Sequence, residues 1–239
     1  MAAVNASIAE LGTILSVWAH PDDETYLSGG IMAMARDLGQ RVVCVSATAG
    51  EHGTDDPRAW PPERLGPLRR AEAAAAMRIL GVEEHHWLDF EDGALATMDP
   101  DAGIEPIVRL IEATAPDTIL TFGPDGATFH PDHITIHQWV TEAWKRCDEP
   151  GALLYFATAV EAWEEVGPLL EAWGVYMTDS RPVPVAADEL AIDLRLPEHE
   201  LDRKIAALAA MDSQVGPALA AIPVADFRLV NSIESFTRA

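Results

Sequence analysis

Short apolar runs that alternate with stretches of helical spacing constrain this chain more than any other feature. Residues 13–18, 41–47, 85–88, 118–122 and 153–156 read as strands, and 27–38, 65–80, 104–114 and 134–145 read as helices between them. The second helix is Ala-rich and stops at Gly81, a residue suited to the left-handed turn that closes a helix. Such alternation is the pattern of βαβ units. It predicts an α/β, Rossmann-like architecture, a mostly parallel sheet with helices on both faces. From about residue 183 the pattern thins to a strand over 190–194 and a helix from 197 to about 211. We therefore expect one domain over 1–239, with a core of about 13–182 and a small C-terminal strand–helix extension. No linker, internal repeat or low-complexity segment interrupts it.

Right-handed crossovers bring the carboxyl ends of parallel strands to one side, where ligands bind at the point of reversed strand order. Two unusual clusters follow strands at that edge. Ala19-His20-Pro21-Asp22-Asp23-Glu24 comes directly after the first run, and His130-Pro131-Asp132-His133 comes shortly after the fourth. Between them, residues 48–63 carry two glycines and three prolines in a connection long enough to serve as a lid or binding loop. The charge balance narrows the partners. Sixteen basic against thirty-nine acidic side chains give a net charge of −23, which repels nucleic acid and anionic lipid surfaces. Arg64, Arg69 and Arg70 form the one dense basic cluster of the first half. No apolar run approaches the roughly 18 residues of a membrane helix, and the N-terminus lacks the basic residues that open a signal peptide, so a cytoplasmic protein is expected. Cys44 and Cys147 form neither a disulfide framework nor a CxxC knuckle.

Each cluster taken alone fits a polar helix cap, because Asp at an N-cap is common and most histidines satisfy themselves with hydrogen bonds. Both together point to a metal. Catalytic zinc takes three protein ligands and keeps one position for water. His20 and Asp23, three apart across a Pro-fixed turn, can face one point, which frees Asp22 for proton transfer. In the second cluster one histidine completes the metal shell. The other sits beside the substrate as an oxyanion donor, and Asp132 between them can orient its ring. Spacing alone does not say which histidine is which.

These residues resemble a known family, the LmbE-like or PIG-L zinc-dependent N-acetylglucosaminyl deacetylases. The similarity extends to Gly50-Glu51-His52-Gly53, to the helix from Arg69 to Gly81, to Phe90-Glu91-Asp92-Gly93, to Gly123-Pro124-Asp125-Gly126 and to the segment from Asp202 to Gln214, about residues 13 to 215 in all. It implies a Rossmann-like fold with His20, Asp23 and His133 as zinc ligands, Asp22 as general base and His130 as electrostatic or acid partner. It also implies that Arg69 and Asp92 contact the sugar or its aglycone. Two positions depart from the family pattern: Met211 replaces a histidine and Thr128 replaces a tyrosine.

The reading is a zinc hydrolase that removes an acyl group from the nitrogen of an amino sugar or sugar conjugate. Ferrous iron suits the same ligands. The alternatives are an amidase of larger thiol-sugar or antibiotic conjugates and a non-catalytic sugar- or metal-binding protein, for which Asp22 and His130 would have no use. No GxGxxG follows the first strand, which disfavours a dinucleotide enzyme. The sequence leaves the choice between monomer and homo-oligomer open.

Overall fold

The computed structural model describes residues 8–239; the N-terminal stretch read above for a leader lies almost entirely outside them. Five parallel strands form the body of the sheet: β1 (Ile14–Trp18), β2 (Val42–Thr48), β3 (Glu84–Phe90), β4 (Thr118–Thr121) and β5 (Ala152–Phe156). β1, β2 and β4 are buried along their whole length, as strands covered on both faces are, and the few polar residues in them are small Ser and Thr. The helices between them are α1 (Asp23–Asp37), α2 (Pro62–Leu80), α3 (Pro100–Thr114) and α4 (Pro131–Arg146). Trp18 and Phe122, both fully buried, meet edge-to-face at 4.8 Å and anchor the core beside the ends of β1 and β4.

The C-terminal third departs from the expected single strand and helix. It contains α5 (Val160–Trp173), β6 (Leu190–Arg195), α6 (Glu198–Ala209), α7 (Asp212–Ala221), α8 (Val224–Asn231) and β7 (Ile233–Arg238). The strand order is β3-β2-β1-β4-β5-β7-β6, and β7 runs antiparallel to both neighbours. This third is therefore built into the same sheet. A fully buried ion pair fastens it: Lys204 on α6 donates to Glu234 on β7 at 2.8 Å, and Glu234 also accepts the Gly30 and Ile31 amides of α1. Burial lowers the Lys204 pKa, and the partner carboxylate only partly restores it. Because α6 covers α1, that helix is buried on nearly all sides.

Strand order reverses between β1 and β4. The crevice at their carboxyl ends is where both His/Asp clusters emerge. Helix α1 starts at Asp23, four residues earlier than expected, which puts the Asp23 and Glu24 carboxylates in its first turn, where the helix dipole favours negative charge. Residues 49–61, the expected binding loop, carry no helix or strand and are pinned at several points. The Gly50 carbonyl accepts from Arg69, Glu51 accepts from the Asp92 amide, and the Gly53 carbonyl accepts from Gln214. Among the described residues, no helix is long and apolar enough to cross a membrane.

Candidate metal centre

The site begins with a strained turn. Asp22 has φ 124° and ψ −35°, a region that costs a non-glycine residue on the order of 1–3 kcal/mol. The surroundings hold it there. Its amide donates to Glu24 Oε2 at 3.1 Å, its carbonyl accepts from Thr25 and Tyr26 at 2.9 Å each, and its Oδ2 lies 3.3 Å from an Arg69 nitrogen. The strain turns neighbouring carboxylates to opposite tasks: Asp23 faces the histidines, whereas Asp22 faces Arg69. Glu24, quoted in the motif but given no role by sequence reasoning, is the buried anchor beneath the turn, and burial lifts its carboxyl to about 7.

Three donor groups converge across the crevice. His20 Nδ1 lies 3.1 Å from His133 Nε2, and the Asp23 carboxylate is 3.4 Å from the first and 3.3 Å from the second. Ligand atoms about 2.0–2.1 Å from a tetrahedral zinc ion stand roughly 3.3 Å apart, so the spacing is that of a ligand shell. The outer contacts agree. His20 Nε2 points to Asp92 Oδ1 at 3.0 Å and Asp132 Oδ2 at 3.4 Å, and His133 Nδ1 points to the Gly126 carbonyl at 2.9 Å. With a proton on each of those outer nitrogens, the two facing nitrogens carry lone pairs directed at one another beside a carboxylate. Only a cation or a proton satisfies that arrangement, and a His/Asp set of this kind suits zinc or ferrous iron. His133 is further steadied by stacking on Phe122, ring centroids 4.2 Å apart.

Other ligand-capable atoms gather around the same imidazole. His20 with His130 and His133, and His20 with Asp92 and Asp132, also come within 4.8 Å of each other. The acidic pair is otherwise engaged: Asp132 accepts the Gly93 and Leu95 amides, and Asp92 accepts the His52 amide. His130 is turned the other way. As the N-cap of α4 its Nδ1 accepts the Asp132 amide at 3.1 Å, so in the neutral ring the proton is on Nε2. The two histidines left interchangeable by spacing thus differ in tautomer: His133 offers a lone pair and His130 an N–H.

The electrostatics favour positive charge at the centre. Burial alone would depress the His20 pKa, but Asp132, Asp23 and Asp92 hold it well above its ordinary value. Burial likewise would raise Asp23, yet His133 and His20 hold its carboxyl far below the usual range. Burial pushes His133 down to about 4, against the pull of Asp23. Asp22 differs from its neighbour. Burial drives its carboxyl up to about 7, against the opposing pull of Arg69, which poises it to exchange a proton near neutrality.

Three of the expected residues have protein partners that spacing did not suggest. Asp132 meets the His130 ring through its backbone amide and not its side chain, because residues two apart on a helix face different directions; its fully buried carboxylate reaches His20 instead. Asp92 spends its oxygens on His20 and the His52 amide, and those partners hold it down at about 2 although burial would raise it. Arg69, with 4% of its surface exposed, serves the site from behind through the Gly50 and Pro21 carbonyls and Asp22, while its Nε is buried without a partner. The basic cluster disperses: Arg70 lies over Trp87 and Arg64 over Trp60. Of the departures, Thr128 hydrogen-bonds with His133 Nδ1 at 3.2 Å, and Met211 is buried at the start of α7.

Residues 15–144 match the family model described as PIG-L, GlcNAc-PI de-N-acetylase. The chain belongs to the PIG-L family. A relative in Acidothermus cellulolyticus, named 1D-myo-inositol 2-acetamido-2-deoxy-alpha-D-glucopyranoside deacetylase, is 33% identical over 85% of this chain and 80% of its own length. The chain spans about half the length of several other relatives of that name. Among solved structures, the N,N'-diacetylchitobiose deacetylase of Pyrococcus horikoshii superposes with a TM-score of 0.66 at 19% identity, covering 99% of this chain and 86% of that one. The 4-carboxy-2-hydroxymuconate hydratase GalB of Pseudomonas putida shares the fold too, at TM-score 0.61 and 17% identity over 95% of each chain. Fold alone therefore does not select the reaction. The matching family model is described as a de-N-acetylase, and the Acidothermus relative is named a deacetylase.

Proposed function

We propose that His20, Asp23 and His133 hold a zinc ion and that Asp22 and His130 divide the proton and charge work of amide hydrolysis between them. The observation that carries this reading is the pair of facing imidazole nitrogens beside the Asp23 carboxylate, each histidine held in the required tautomer by a contact on its far side. Bound there, zinc supplies Lewis acidity, which lowers the pKa of water and polarises an amide carbonyl.

The protein's own groups supply the rest. Asp22 takes the proton of the attacking water, a role supported by its freedom from the donor set and its carboxyl pKa of about 7. Arg69 keeps that carboxylate aimed and partly neutralised. The Nε2–H of His130 donates to the oxygen on which negative charge develops, and its half-buried, lowered-pKa ring is a neutral donor at pH 7. Asp22 then returns the proton to the departing amine. The Asp92 and Asp132 carboxylates act by fixing His20.

The substrate class is a glucosamine N-acylated at C2 and joined to a second polar group, as in the inositol conjugate that names the Acidothermus relative. Incubating the zinc-loaded protein with a panel of N-acetylglucosamine conjugates, with free amine as the readout, tests this. Release from glucosaminides but not from N-acetylated amino acids is expected. No amine from any N-acetyl sugar would overturn it.

A further inference from the structure

A cavity of about 410 Å³ opens directly off the metal centre, with Asp23 and His133 in its wall. An acetyl methyl, close in size to one water at roughly 30 Å³, would leave most of it empty. Its deeper wall is apolar: Phe156 from the end of β5, Val166, Leu170 and Trp173 from α5, and Ile222 and Phe227 from the far side. Several polar side chains in the wall are already engaged within the protein. Ser235 donates to Asp193, Asn231 donates to the Phe227 carbonyl, and Thr128 bonds with His133. The hydroxyls of Tyr26, Thr158 and Tyr176 also line it, too few to replace the hydrogen bonds a sugar ring makes with water, and each ring group left unpaired costs on the order of 1–3 kcal/mol.

The two ends of an amide must leave the reacting carbon in different directions. Asp22, Arg69, His52, Asp92 and His130 are absent from the cavity wall. The apolar wall suits the hydrocarbon end of the amide and not the sugar, so the cavity falls to the acyl side. We infer that this chamber binds a linear aliphatic acyl chain, and that the enzyme removes medium-chain N-acyl groups of about six to ten carbons in preference to acetyl. This inference rests on the metal-centre reading above.

The test is an N-acyl glucosamine series running acetyl, butanoyl, hexanoyl, octanoyl, followed as kcat/KM for amine release. Each fully buried methylene contributes about fourfold, so six added from acetyl to octanoyl set a ceiling of about 4,000-fold, and a rise on the order of 100-fold or more is expected with burial incomplete. Calorimetry gives a second readout that needs no turnover: octanoate should bind at least 10-fold more tightly than acetate. Ala162→Phe on α5, or Ala218→Phe on α7 should the first variant not fold, fills the chamber and should return both ratios towards one. A flat or falling series with acetyl still cleaved overturns the inference and leaves the hydrolase reading intact. So does a rise found only when the alkyl chain is placed on the anomeric oxygen of N-acetylglucosamine. If no amide is cleaved but octanoate binds in a manner abolished by Ala162→Phe, the chamber stands and the hydrolase reading falls.

Discussion

Asp22→Asn separates chemistry from architecture more cleanly than any other single change in this site. The backbone anchors of the turn, from Glu24, Thr25 and Tyr26, do not involve the Asp22 side chain, and Asn has nearly the same shape. Asn is also among the residues that best tolerate positive φ. The one contact that weakens is the 3.3 Å approach to Arg69, whose guanidinium keeps the Gly50 and Pro21 carbonyls as acceptors. Because burial holds the Asp22 carboxyl up at about 7 despite Arg69, the fold disfavours its charge, and the neutral Asn should leave stability unchanged or slightly raised near pH 7. The metal should stay, because no oxygen of Asp22 belongs to the converging set formed by His20, Asp23 and His133. Turnover should not. A positioned general base contributes about 100- to 10,000-fold, or roughly 3–5 kcal/mol in the barrier. The assay is three measurements on one preparation: zinc content, melting temperature and kcat for amine release. Full zinc occupancy with kcat at least 100-fold down is expected. Turnover within about threefold of wild type would refute the base assignment, and loss of zinc at unchanged stability would show that Asp22 is itself a ligand.

Other consequences follow from the same geometry. His133→Ala should weaken zinc binding, measured by competition with a chromophoric chelator, by more than the roughly 10- to 100-fold expected of Asp92→Asn, which removes only an outer partner of His20; equal losses would undo the distinction. Lys204→Met strands the buried Glu234 carboxylate and should cost about 3–5 kcal/mol in urea unfolding, part of it recovered by adding Glu234→Gln. A cost below 1 kcal/mol would mean that the pair does not fasten the C-terminal third. His85, bonded with Ser46 and far from the metal centre, has its pKa lowered to about 4 by burial and by the nearby His86 and Arg70 charges. Its neutral form is the one the fold prefers, so its contribution is complete above an unfolded pKa of about 6.5 and is lost as pH falls through 4. Wild type should therefore lose about 2–3 kcal/mol between pH 8 and pH 4.5 that His85→Gln does not lose; parallel stability profiles would contradict this.

The parallel body of the sheet was legible because its signal is local. Strands such as Val42–Thr48 are buried on both faces, so each is a short run of apolar and small residues without a charge, and the helices between them carry one apolar face. β7 was not legible. Its sequence, Ile-Glu-Ser-Phe-Thr-Arg, sets a charge in the middle of a buried strand, and that charge is tolerable only because Lys204 and two α1 amides, 30 and about 200 residues away, come to meet it. α5 was missed for a related reason. Its Gly167-Pro168 pair reads as a breaker, yet Val160–Trp173 is helical.

The candidate site divides along the same line. By itself the sequence determined that two clusters of imidazole and carboxylate end two neighbouring strands at one sheet edge, since that follows from local spacing and the handedness of βαβ crossovers. Only the tertiary structure decided which atoms face which. It separated His133 from His130 by what each Nδ1 meets, Asp23 from Asp22 through a strained backbone angle, and Asp132 from His130 through the rotation of a helix. It alone formed the apolar chamber, whose walls come from β5, α5, α7, α8 and β7. Directions in space and the partners that fix them depend on residues brought together from across the whole chain, and spacing along the sequence carries no record of that.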